Sequence, residues 1–286
     1  MKTSPAILLL LAAQGVSGCG SHSSSLPAEP SSVITRPTPA AVNQRLFVYV
    51  GNTAFRPVAD VRIEALDGTL VGQTMTTDAN GIFKYGGTVS VPTRFRASKS
   101  GYVTATESSY SNGGGTSIVV FMLDVDAPPV QIAGDYTLTI VADGACADRL
   151  PKDVSPLTYE ATIAPWPSVA GKLDTQYTLT VKSANELMVD SFSVGVAGTE
   201  VGFNLYHGEE PGLVERLSPT LFLYVSGQAE TIVAASSPAT ISAQLDGSIE
   251  YCGATASGSS SGGCYQTSGS SLACTSKNNR VMLTRR

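Results

Sequence analysis

The sequence predicts an all-β chain in two domains, a seven-stranded prealbumin-like or immunoglobulin-like sandwich followed by an up-and-down barrel of roughly eight strands. Three observations carry this expectation. Charged residues are only 14% of 286, β-branched residues recur in short runs of period two, and Gly, Asn, Asp and Pro punctuate the runs at hairpin spacing. The length suits two domains of ordinary size. Formal charge is −5, or −6 once Lys2 is removed, and no basic stretch could follow a phosphate backbone. Nucleic acid is therefore not an expected partner.

The first element is a segment not expected to fold with the rest. Lys2 precedes an apolar run from Ala6 to Ala13, which has the layout of an export signal and is too short to cross a bilayer, a task needing about 20 apolar residues. Val16-Ser17-Gly18-Cys19 then resembles the bacterial lipobox. That resemblance implies cleavage of residues 1–18, acylation of Cys19 (palmitate among the chains) and a stable membrane anchor, because two or three acyl chains hold where one does not. Gly20 in place of Asp implies, by the same resemblance, sorting to the outer membrane of a Gram-negative cell envelope. The competing reading is an ordinary cleaved signal with a cysteine near its end. Residues 19–44 are rich in Ser and Pro without apolar periodicity, so they read as a tether.

The sandwich is expected over residues 45–126. Strands are predicted at 45–50, 58–67, 70–77, 82–85, 93–99, 102–106 and 117–123. Asp67-Gly68 and Thr77-Asp78-Ala79-Asn80-Gly81 supply the turns, with Gly81 free to take positive φ. Val61, Ile63 and Ala65 alternate with Arg62 and Glu64, which assigns one face to the core. The runs VGNTAFRPVADVRIEALDG, TTDANGIFKY and SKSGYVTAT are similar to the carboxypeptidase regulatory-like domain, a transthyretin-like sandwich grouped with carbohydrate-binding-like folds. Thr77, Asp78, Gly81, Phe83, Lys99, Gly101 and Tyr102 match its signatures. The resemblance implies turn formers and core aromatics, and a docking or spacer module with no chemistry of its own. Asp78 and Asn80 also open like a calcium loop, yet no Glu follows at the closing position.

Pro128-Pro129 stiffens a linker over 127–133. The barrel is expected over 134–286, with strands at 134–140, 157–164, 176–182, 186–194, 200–205, 220–225, 230–234, 240–251 and 280–284, and a short helical turn within 148–156. A first strand opened by Gly134-x-Tyr136 resembles the lipocalin and streptavidin-like group. In that group a Trp usually stands at the aromatic position and an Arg near the last strand packs over it; here Arg280 and Arg285 are both candidates.

With Cys19 assigned to lipid, Cys146, Cys252, Cys264 and Cys274 remain, an even number in an exported chain, which suggests two disulfides. Three pairings are open. Cys146–Cys274 with Cys252–Cys264 is favoured, since the first two flank the barrel and the second two flank one Gly/Ser-rich loop. Metal-site spacing is absent, the histidines being only His22 and His207, so neither metal nor cofactor is expected.

Candidates for catalysis are weak. Gly258-Ser259-Ser260-Ser261-Gly262 matches a nucleophile elbow formally but lies in low-complexity loop text. His207 beside Glu209 and Glu210 has acid–base potential and reads more simply as an exposed turn. Trp166 between two prolines could stack on a ligand at the barrel mouth or pack against the rim. The expectation is thus a non-enzymatic lipid-anchored binding module for a small apolar or carbohydrate ligand or a surface partner. The alternative is a structural or adhesion protein whose barrel is filled with Leu, Val and Phe; a carboxylate hydrolase comes last.

Overall fold

The structure, a computed structural model, describes residues 41–42, 45–112, 115–151, 156–166, 175–207, 210–253 and 271–286. The lipobox with Cys19, the tether except Ala41–Val42, Cys264 and the Gly258–Gly262 motif lie outside the described residues. Residues 39–286 belong to one compact unit.

The first ten strands are β1 (Ala41–Val42), β2 (Arg45–Asn52), β3 (Arg62–Ala65), β4 (Thr74–Thr76), β5 (Ile82–Tyr85), β6 (Val89–Ser90), β7 (Arg94–Ser98), β8 (Ala105–Ser108), β9 (Tyr110–Ser111) and β10 (Thr116–Leu123). They form two four-stranded sheets, ordered β5-β2-β10-β9 and β4-β3-β7-β8, and a β1–β6 ribbon. Alternation decides the inner face, as expected: Leu46, Val48 and Val50 of β2 meet Ile63, Phe95, Val119, Phe121 and Leu123 in one core. β2 and β10 pair in parallel from Arg45↔Thr116 to Asn52↔Leu123.

The signature residues hold turns. Asp78 Oδ1 accepts the backbone N–H groups of Asn80 and Ile82, both at 2.9 Å, and Gly81 sits at φ +70° against the Val50 carbonyl, where a Cβ would collide. Thr77 Oγ1 donates to Val58 O and accepts from Val61 N, and Lys99 Nζ donates to Ala59 O. The side chain that opens the calcium-like text is therefore engaged in closing its own hairpin. Among the described residues no group of three His, Cys, Asp or Glu side chains is placed to hold a metal.

The barrel strands are β11 (Gly134–Val141), β12 (Leu157–Pro165), β13 (Gln176–Lys182), β14 (Glu186–Val189), β15 (Ser191–Ala197), β16 (Glu200–His207), β17 (Glu210–Pro211), β18 (Leu213–Ser218), β19 (Leu221–Ile232), β20 (Thr240–Gly253) and β21 (Ser271–Arg285). Pairing runs β19-β20-β21-β11-β12-β13-β15-β16 and returns to β19, a closed eight-stranded antiparallel barrel in sequence order. Closure removes the exposed edges that an open sheet would carry.

Two barrel staves are interrupted. β16 pairs with β19 from Glu200↔Ile232 to Leu205↔Gly227. β18 continues along the same strand from Leu213↔Val225, and the Gly212 N–H reaches back to Leu205 O at 3.0 Å. Tyr206 and His207 pair with Pro211 and Glu210, so the stave is interrupted after Leu205 and resumes on β19 at Leu213. β14 and β15 likewise form one stave broken at Asp190, with β14 on β18 and β15 on β13 and β16.

Sequence reading divides 220–234 into two strands at Ser226-Gly227. The structure has one long strand there. Gly227, at φ +141°, faces Gly247 of β20, and a Cβ at either would strike the other strand's backbone. Paired glycines make this a close crossing and not a turn. The short helical turn expected within 148–156 is a 3₁₀ turn at Ala147–Arg149.

Candidate functional site

The barrel has a near end, where β12, β15 and β19 finish, and a far end, where β11, β13, β18 and β20 finish. Side chains occupy the space between them. Leu138, Ile140, Ile163, Leu179, Val194 and Phe203 are among more than thirty residues of one continuous buried cluster, at most 9% exposed. Ligand-carrying barrels keep an open cavity of several hundred Å³. Here Leu, Val, Ile and Phe from every stave occupy the axis.

At the near end Tyr136 of β11 is fully buried and directly opposite Arg285 of β21. The Arg285 guanidinium lies 5.2 Å from the ring centroid, and Nη2 donates to the Tyr136 hydroxyl at 2.8 Å and to Gln131 O at 3.3 Å. The Tyr136 hydroxyl in turn donates to Ile132 O at 2.7 Å. Burial raises the phenol's pKa, and the guanidinium partly opposes that. The partner of the Gly-x-aromatic strand is Arg285, whereas Arg280 pairs with Val141 further along. Trp166 also stands near this end, half exposed, its backbone N–H donating to Gln176 O at 2.9 Å. Its neighbours 167–174 lie outside the described residues, as do Gly208 and Glu209 beside His207, whose backbone ends β16.

The sandwich docks on the wall beside the near end. Asn52 Oδ1 accepts the N–H groups of Ala54 and Arg56, each at 3.0 Å, and shapes a loop in which Phe55 takes φ +66°. Gly195 of β15 and Gly202 of β16 pair opposite each other, and a Cβ on either would collide with the carbonyl of Thr53 or Ala54. Absence of two side chains thus makes the seat. Polar bonds close it: Asn52 Nδ2 to Glu200 at 2.7 Å, Arg56 to Glu200 at 3.1 Å and to Glu230 at 2.9 Å, and Gln176 Nε2 to Thr53 O at 2.8 Å. The linker is pinned too, with Val130 N bonded to Gly198 O and Val130 and Ile132 buried in the barrel core.

Among the described residues the one buried carboxyl group is at the far end. Glu215 of β18 is 3% exposed and accepts from Tyr159 Oη at 2.7 Å, Asn185 Nδ2 at 2.8 Å and Ser183 Oγ. Glu215, Leu223, Tyr251 and Leu272 occupy successive cross-strand positions on β18, β19, β20 and β21. The buried Tyr251 hydroxyl has no hydrogen-bond partner among the described residues. Burial first, then the hydrogen bond and charge of Glu215, drive the Tyr159 pKa far above the ordinary phenol range; burial and then the Glu215 charge do the same to Tyr251. Neutral donors satisfy the carboxylate, so the group positions one buried acceptor and two phenols that stay protonated. None of these residues stands out in the sequence, because an inward Glu breaks the apolar alternation that marks a strand.

Cys146 and Cys274 are disulfide-bonded with Cα atoms 5.2 Å apart, tying the connection after β11 to β21. Beside this bridge, buried Asn279 accepts from Asp143 N at 2.9 Å and donates to Gly247 O at 3.0 Å. The Asp143 carboxyl is held below its usual pKa by the Ala145 N–H first, with Ser276 and Asn278 assisting. Buried Cys252 is also in a disulfide, and its partner lies outside the described residues. Asp148–Pro151 with Leu272 and Ala273 line a cleft on the far rim. No protein-family model, no curated protein and no solved structure matches this chain.

Proposed function

We propose that this chain is a non-enzymatic, lipid-anchored protein of the bacterial cell envelope that acts through its outer surfaces. The barrel serves as a filled, rigid body to which the sandwich is locked. The observation that carries this reading is the occupied barrel axis together with the Gly195/Gly202 seat. Side-chain filling supports the structural or adhesion alternative over carriage of a small apolar or carbohydrate ligand inside the barrel. A carrier would need Leu138, Phe203 and their neighbours to vacate space at a cost of about 2–5 kcal/mol for each large side chain displaced.

The anchor rests on the lipobox resemblance at Val16–Cys19, and the second bridge, Cys252–Cys264, on cysteine count and on the bonded state of Cys252. Cys19→Ala is expected to move the protein from the membrane to the soluble fraction of its host, and unchanged retention would overturn the anchor. Native mass spectrometry of the chain from Gly20 onward is expected to show the bare polypeptide mass. A reproducible adduct lost on denaturation would return the barrel to the carrier reading.

A further inference from the structure

The two outer faces of the sandwich are chemically opposite. On the β4-β3-β7-β8 side, Arg62 and Arg96 both pair with Glu64, at 2.9 and 2.7 Å, and Arg94 pairs with Asp67 at 2.7 Å. The Arg96 hydrogen bond, helped by Arg62, holds the Glu64 carboxyl below its usual pKa. This is a solvated, charge-satisfied surface.

The β5-β2-β10-β9 side is apolar. Phe47 lies opposite Ile118, Tyr49 opposite Val120, and Tyr110 beyond Ile118, so the row is continuous across three strands. Tyr49, Tyr110, Val120 and Met122 are 39, 51, 45 and 43% exposed. Contiguous apolar surface of this kind is uncommon on a soluble monomer and marks an interaction site. The four strands contain no Asp or Glu, and their charged residues are Arg45 and Lys84 alone.

We propose that this face is a membrane-docking surface that seats the folded chain on the anionic headgroup layer of the bilayer holding Cys19. The inference rests on the lipid-anchor reading. β2, which carries Phe47 and Tyr49, follows the tether after the short strand β1, and residues 19–40 reach at most about 70–80 Å when extended. A tether of that length keeps the face near the headgroups at high effective concentration, so a weak affinity suffices. Aromatic and aliphatic side chains rimmed by Lys and Arg suit the boundary between headgroup and acyl chain. In a chain of net charge −5, a face with cations and no carboxylate is also the one that an anionic surface repels least. A glycan platform fits less well. Phe47 and Tyr49 stack on each other at 6.4 Å and Lys84 Nζ lies 5.8 Å over Phe47, so the Phe47 ring is already engaged by its own neighbours.

The test is sedimentation of the purified chain from Gly20 onward, which keeps every described residue, with vesicles of phosphatidylethanolamine and phosphatidylglycerol. Binding is expected, weaker at high salt and on phosphatidylcholine alone. Tyr49→Ser with Val120→Ser, and separately Arg45→Glu with Lys84→Glu, should each reduce it about tenfold or more. Arg96→Ala on the opposite face should leave it unchanged. Unchanged circular dichroism qualifies each variant, and Met122→Ser replaces the first pair if that pair unfolds. No binding to any vesicle, or equal binding by folded variants, overturns the proposal. A concentration-dependent dimer abolished by the same substitutions overturns it in favour of a contact between two copies. This chain carries no acyl group, so failure here leaves the Cys19 anchor standing. Failure of Cys19→Ala to release the protein into a high-salt wash removes the anchor and the tether argument with it, while vesicle binding by this face is read separately.

Discussion

Arg285 lies across the ring of Tyr136 and donates to its hydroxyl at 2.8 Å, so the last barrel strand is fastened to the first by a cation–π contact and a hydrogen bond on one side chain. Arg285→Ala is expected to lower stability by about 2–3 kcal/mol in urea unfolding, from loss of both contacts. Arg285→Lys should recover little of this, because a lysine cannot both cover the ring and reach the hydroxyl and Gln131 O as a planar fork does. Tyr136→Phe keeps the cation–π contact and should cost about 1 kcal/mol.

The Gly195/Gly202 seat predicts how the sandwich can be undocked. Gly202→Val would drive methyl groups into the Ala54 carbonyl while leaving the inward neighbours Val201 and Phe203 unchanged. Calorimetry should then resolve two transitions where the parent shows one, and proteolysis within 127–133 should accelerate, since local opening follows loss of local contacts. A single unchanged transition would mean that the polar bonds of Asn52, Arg56 and Glu200 hold the sandwich on their own.

Tyr159 gives a pH dependence with a definite sign. Its folded-state pKa is raised, so its contribution is complete below the unfolded phenol pKa near 10 and is lost as pH rises beyond it. Stability should fall by up to about 1.4 kcal/mol per pH unit for this group above pH 10. Tyr159→Phe should flatten that slope at the expense of a Glu215 hydrogen bond at neutral pH. Equal alkaline slopes in parent and variant would show that Tyr159 ionises as easily folded as unfolded.

The Cys146–Cys274 bridge closes a separation of 128 residues. On the chain-entropy model its removal by Cys146→Ser with Cys274→Ser should cost about 5 kcal/mol, partly relieved if the far end relaxes. Denaturant titration of the double variant checks this. The loss should be concentrated at the far end, where Asp143, Ser276 and Asn279 are bonded beside the bridge.

Much of this architecture is legible in the sequence because period-two alternation is strong wherever a stave has one dry face. The strand predicted over 176–182 coincides with β13, and Cys146–Cys274 is the pairing expected of two residues that flank the barrel. Illegible parts share one cause, that a local pattern was overruled by a partner distant in sequence. Ser271–Asn279 reads as polar loop, yet β20 pairs with it along most of its length. Leu213–Ser218 does not read as a strand, because Glu215 faces inward to donors supplied by Tyr159, Ser183 and Asn185. Gly195 and Gly202 look like any glycine; only the loop lying over them explains why a side chain is excluded. Choosing Arg285 over Arg280 likewise required the β11–β21 register.

The parallel pairing of β2 and β10 has a mechanical consequence. The chain enters the sandwich at Arg45 and leaves toward the barrel after Leu123, and these points lie at opposite ends of two strands joined over eight residue pairs. Tension between a fixed N-terminal side and a barrel gripped by something else would therefore slide the strands past one another, straining all their hydrogen bonds together. An antiparallel pair pulled at adjacent ends would instead peel open one bond at a time. The sandwich is built like a shear joint between its entry and its exit.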